Sequence, residues 1–220
     1  MLRTKIIALT LAAAFAFTGC SCGKKVEHSK SVISPETVEQ ALITKGAVKA
    51  DSEDALGQAG TAGSYFKAEG PDEIAALKSD FWGGKPEATC DEVVIYRFNK
   101  EAEGDLCKLS IVAFRMETDE SARAFFNKCS NNASTHMDSK AAIESTASSI
   151  NMSVPGSEDY NPDSPASNLL SDGYLISHEY VFFYTLELES GKDETQNFIT
   201  SLFDQIGIEA PQQGEISVIV

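Results

Sequence analysis

The chain has 220 residues, a formal net charge of −15 at pH 7 and a hydrophobic fraction of 42%. That apolar content supports a real core and excludes a disordered chain. The acidic balance excludes the clustered Lys and Arg on which nucleic-acid binding runs. Beyond the amino terminus, no stretch reaches the roughly 18 apolar residues of a membrane-spanning helix.

The first residues read as a leader. Arg3 and Lys5 form a positive start, and Ile6 to Phe17 is an apolar run of secretory length, too short to span as a mature helix. It ends in Phe17-Thr18-Gly19-Cys20. This resembles the lipobox of bacterial lipoproteins: a bulky apolar residue, a small residue, Gly or Ala, then an obligatory Cys. Phe17 stands where Leu is usual. The resemblance covers residues 1–20 only and says nothing of the fold beyond them. It implies removal of residues 1–19, a diacylglyceryl thioether on Cys20 and acylation of the freed amine. The lipid bilayer would then be a partner through Cys20, and the location extracytoplasmic. Ser21 follows the Cys, where Asp would retain the protein, so a bacterium with two membranes would carry it on the outer one. Two acyl chains, each gaining about 0.8 kcal/mol per buried CH₂, anchor firmly where one is marginal.

Residues 20–33 lack periodicity and read as a tether. Lys24, Lys25 and Lys30 outweigh Glu27 there, so the acidic excess lies in the body, residues 34–220, which reads as a single domain. Ser34-Pro35-Glu36 opens a helix with an N-cap, a first-turn Pro and an acid, running to about Thr44. Residues 45–64 carry no clear pattern. Pro71-Asp72-Glu73 opens a helix with Ile74, Leu77 and Phe81 on one face, stopped by Gly83-Gly84. Val93–Phe98 and Leu106–Met116 form a hairpin around a polar turn. The return strand is apolar on both faces, which predicts a central, covered position. Thr118 caps a helix whose Ala122, Phe125, Phe126 and Cys129 share a face, ending near Asn131-Asn132.

The same order then recurs. Tyr174–Ser177 and Tyr180–Leu188 flank a tight turn near His178-Glu179, and a helix from Asp193 is stopped by Gly207. Both halves run strand, strand, acid-capped helix. The fold expected is α+β, an antiparallel sheet with helices packed on it, built from two ββα units in one domain with a hint of internal duplication. Residues 152–172 read as a long Pro/Ser/Asp/Asn loop, and Ile216–Val220 as an added edge strand.

Five cysteines fit an export compartment: Cys20 for lipid, and Cys22, Cys90, Cys107 and Cys129 as thiols or bridges. A helix of about 11 residues rises roughly 16 Å, about five strand residues, which brings Cys129 back beside Cys107. Cys107–Cys129 is therefore the disulfide expected, with buried free thiols as the alternative. Asp159, Asn161 and Asp163 have the spacing that opens a calcium loop, but the twelfth position is Leu170 and the sixth is Ser164, so a weak metal site competes with a solvated acidic turn. Trp82, at a helix end, is a weak ligand-stacking candidate beside the commoner role of capping the core. No HExxH, CxxC, GxSxG or P-loop occurs, and no cofactor is expected.

Three readings follow. The first is a membrane-anchored, non-enzymatic binding or accessory lipoprotein with an unidentified protein or small-molecule partner. The second is a small-molecule or peptide carrier for a membrane complex, with a pocket under the 152–172 segment. The third is a cell-envelope hydrolase assembled across the fold, which requires His136 or His178 in a cleft beside a nucleophile or carboxylate.

Overall fold

The computed structural model describes residues 32–57, 61–79, 81, 89–102, 104–136, 149–155, 168–190, 192–211 and 216–219. For 130–136, 149–155, 168–170, 190 and 216–219 it describes the backbone. The elements are α1 (Pro35–Thr44), β1 (Val48–Lys49), β2 (Ser64–Glu69), α2 (Gly70–Ala75), β3 (Cys90–Ala102), β4 (Asp105–Met116), α3 (Asp119–His136), β5 (Ser149–Pro155), β6 (Asn168–Ser177), β7 (Tyr180–Ser190), α4 (Asp193–Ile206) and β8 (Ile216–Ile219). The strands form one sheet in the order β1-β2-β3-β4-β7-β6-β5-β8. Every pairing is antiparallel except the short one between β1 and β2. The chain is α+β, as its strand and helix pattern predicts.

Helices cover both faces. Val38, Ala41 and Leu42 of α1 and Ile199, Leu202, Phe203 and Ile206 of α4 pack on one face, against Val94, Tyr96, Ile111, Phe182 and Tyr184. On the other, Ile74 of α2 and Ala122, Phe125, Phe126 and Cys129 of α3 pack against Val93, Ile95, Val112, Phe114 and Phe183. β4 lies at the centre and buries residues on both faces, as its two-sided apolar sequence demands.

The helix termini follow their local chemistry. Ser34 Oγ accepts the Thr37 amide at 3.2 Å, and Pro35 takes the first turn. Gly207 closes α4 with φ 95°, a left-handed conformation cheap only for glycine. α2 is shorter than its apolar spacing predicts. After Ala76 the amides of Lys78 and Ser79 donate to the Glu53 carboxylate at 2.6 and 2.8 Å, so that carboxylate takes over as acceptor from helix carbonyls. Ile74, Leu77 and Phe81 are buried all the same. α3 continues past Asn131-Asn132 to His136.

Three expectations need correction. The 152–172 segment is not one loop: residues 152–155 complete β5 and 168–172 open β6, the two strands pairing along Ser149–Pro155. The two ββα units are present, β3-β4-α3 and β6-β7-α4, but not as a rotational repeat. A two-fold normal to the sheet would exchange the strand pairs and leave both helices on one face, whereas α3 and α4 lie on opposite faces. The Cys107–Cys129 bridge fails for the same reason. Cys107 points to the α1/α4 face and Cys129 lies in the α3 layer, with the sheet between them. Both, with Cys90, are buried and outside any disulfide. Cys129 lies near Tyr174, whose row across the sheet is that of Val112 rather than Cys107.

One close approach fixes β6 against β7. Gly173 pairs with Tyr184, and a Cβ there would stand 1.8 Å from the ring atom Cε1. The ring lies across the bare backbone, and its hydroxyl is 3.2 Å from Ser171 Oγ. Only glycine leaves that space.

Candidate functional site

Among the described residues, buried charged side chains stand out at three places, and two of these are closed by partners. At one end of the sheet Glu92, 1% exposed, meets Lys67 at 2.8 Å and Arg115 at 3.1 Å. Lys67 also reaches Glu39 of α1 and Glu69, and Arg115 reaches Glu36 of α1. Burial alone would lower the Lys67 pKa, but the hydrogen bonds it donates to Glu69 and Glu92 outweigh it and raise the value. This network clamps α1 to the sheet. At the opposite end Asp105, 1% exposed, accepts Thr195 Oγ1 at 2.8 Å and meets Lys100 at 2.8 Å and Lys192 at 3.5 Å. The carboxylate thereby sits against the first turn of α4, where negative charge is favoured. Both networks have their partners within the fold and read as architecture.

The third place is different. On the α2/α3 face the strand register lines residues up in rows across the sheet. One row is Phe66, Ile95, Val112, Phe183 and Tyr174, apolar apart from the Tyr174 hydroxyl. Its neighbour, two residues along every strand, is Ser64, Arg97, Ser110, Thr185 and Asp172. Every member of this second row is polar, over five adjacent strands. The next row continues with Asn99, Lys108 and Glu187, the last two paired at 3.3 Å, and ends on apolar Leu170 of β6. The sheet face that α2 and α3 cover thus changes from apolar to polar along one line. Ser110 and Thr185 are half-buried at its middle.

Its two ends carry opposite charge. Arg97 is half-buried and donates from Nη2 to Ser79 Oγ at 3.2 Å, so the segment after α2 borders that end. Asp172 is 3% exposed. Burial is the sole influence on its carboxyl and pushes its pKa up to about 7. Beside it Tyr174 is fully buried and its hydroxyl has no hydrogen-bond partner. Burial, with Asp172 and Cys129 nearby, raises that phenol's pKa further. Arg97 and Asp172 are three strand spacings apart, roughly 14 Å between Cα atoms. A buried phenol without a hydrogen-bond partner beside a buried carboxyl costs free energy, and such groups collect where a ligand completes them. Among the described residues no three His, Cys, Asp or Glu side chains are grouped to hold a metal. The row offers hydrogen bonds and opposite charges.

The residues singled out from sequence fall elsewhere. Cys20, Trp82, Asp159, Asn161 and Asp163 lie outside the described residues, as does the side chain of His136. His178 occupies the tip of the β6–β7 turn with φ 54°, and its Nδ1 is 3.5 Å from Asp119 Oδ2, both side chains about 70% exposed. That open position lacks the water-excluding walls that favour a general base. The row itself left a faint trace in sequence. In β4, β6 and β7 the residues alternating with the buried ones turn polar at Ser110, Asp172 and Thr185, but only the register shows that they meet.

No family model and no curated protein matches the chain. Among solved structures it is similar to the extracellular domain of PknH from Mycobacterium tuberculosis, at 9% identity over 70% of this chain and 96% of that one, with a TM-score of 0.35. A likeness at that score bears on neither fold nor function.

Proposed function

We propose that the protein is an extracytoplasmic, lipid-anchored module with a non-enzymatic binding role, held to the membrane through acylated Cys20. The observation that carries this reading is the Phe17-Thr18-Gly19-Cys20 lipobox behind a basic start and a short apolar run. In agreement with it, no helix among the described residues is long and apolar enough to cross a membrane. A binding role is favoured over hydrolysis by the exposed setting of His178 and by the partly unpartnered polar row on the sheet. The same row favours the carrier reading, in which the module hands a small molecule or peptide to a membrane complex.

Detergent phase partitioning of the full chain expressed in a bacterium tests the anchor. The wild type should enter the detergent phase with acyl mass on a peptide beginning at Cys20. Cys20→Ala should stay unprocessed and lose that mass. A Cys20→Ala chain that is still cleaved and still partitions with detergent would sink the proposal.

A further inference from the structure

We propose that the row Arg97, Ser110, Thr185 and Asp172 binds a short peptide by its two charged termini, the carboxylate at Arg97 and the amine at Asp172. This rests on the binding role proposed above and names the ligand class.

The argument is one of complementarity. The row has a cation at one end, a carboxyl at the other and two hydroxyls between them, all on one sheet face. Guanidinium is suited to a carboxylate because it presents parallel N–H donors in a fixed fork. Ser79 already holds one arm of it, which limits its freedom before any ligand arrives. At the other end a buried carboxyl without a cation is completed by an ammonium group. Beside it the Tyr174 hydroxyl adds a hydrogen-bonding group that has no partner among the described residues. Between the ends, the hydroxyls of Ser110 and Thr185 can each donate to a peptide carbonyl or accept from a peptide N–H.

Length selects the ligand. The Cα atoms of Arg97 and Asp172 are roughly 14 Å apart, and the two side chains shorten the gap between their charges. An extended peptide advances about 3.3–3.6 Å per residue, so about three residues place their termini on the two groups. A single amino acid, whose charges are adjacent, does not reach both.

The probes are trialanine, its amino-terminally acetylated form and its carboxyl-terminal amide, titrated by calorimetry at pH 7.5 against the full chain in detergent micelles. Trialanine should bind saturably, and blocking either end should weaken binding at least tenfold. Each variant should abolish the discrimination at its own end only. Arg97→Met should bind the amide as well as trialanine while still rejecting the acetylated form, and Asp172→Asn the reverse. Arg97→Lys, which keeps the charge, should bind trialanine better than Arg97→Met does. Equal binding of all three probes, no heat with trialanine at 10 mM, or discrimination unchanged in both variants would overturn the proposal. Partitioning of the same preparation is scored separately. A chain that is lipidated but ignores trialanine defeats only the peptide site, and one that binds trialanine without lipid defeats only the anchor.

Discussion

Asp172 sets the pH response of the fold. Its carboxyl titrates near 7 in the folded protein because burial disfavours the charged form. In the unfolded chain an Asp titrates at about 3.9. Between those values the folded state holds a proton that the unfolded state has lost. Stability attributable to this group therefore falls as pH rises from 4 to 7 and is level above that. The difference corresponds to a cost on the order of 4 kcal/mol at pH 8. Asp172→Asn should be more stable than the wild type by a few kcal/mol at pH 8 and about equal to it at pH 4, read from urea midpoints across that range. Glu92, whose pKa burial also raises, acts in both chains alike and cancels in the comparison. A variant that gains nothing at pH 8 would mean that the carboxyl is compensated within the fold.

Among the elements, α1 is tied to the sheet by charge as well as by apolar contact. Lys67 meets Glu92 beneath it and Glu39 upon it. Lys67→Met should cost about 3 kcal/mol, because it leaves buried Glu92 with fewer compensating partners. Adding Glu92→Gln should recover part of that loss, and a double-mutant cycle by urea denaturation measures the coupling. Strictly additive losses would refute the clamp. Elements with terminal chemistry of their own were legible in sequence: Ser34-Pro35 and Gly207 bound α1 and α4 to the residue. β2 was not, because its alternation is only Phe66 and Ala68 with Lys67 and Glu69, too short to stand out, and pairing with β3 supplies what its sequence lacks. The excess length expected of α2 arose because an i, i+3, i+7 apolar pattern is equally satisfied by a short helix followed by a turn that keeps Leu77 and Phe81 inside.

For the molecule as a whole, the two-sided sheet decides which groups can meet. Parity along β4 sends Cys107 to one face and Met116 to the other, and α3 follows the Met116 face. Sequence fixed neither which face a helix takes nor which distant strand lies beside β4, so the disulfide and the polar row were both beyond its reach. Peptide mapping of the oxidised protein without reductant should yield no Cys107–Cys129 pair, and Cys90, Cys107 and Cys129 of the native protein should resist thiol reagents. Burial lifts Cys90 and Cys107 to about 12, well away from the reactive thiolate form. Finding the Cys107–Cys129 peptide would contradict the placement of α3. The β4–β7 ladder carries a further consequence, for the order of folding. It joins Ile111 to Tyr184, closing a loop of roughly seventy residues, while the two flanking hairpins close loops of a few. Local hairpins can form early, but the centre of the sheet waits for the carboxyl-terminal third of the chain. Until then β4 is an uncovered edge with apolar residues on both sides, the species most exposed to aggregation.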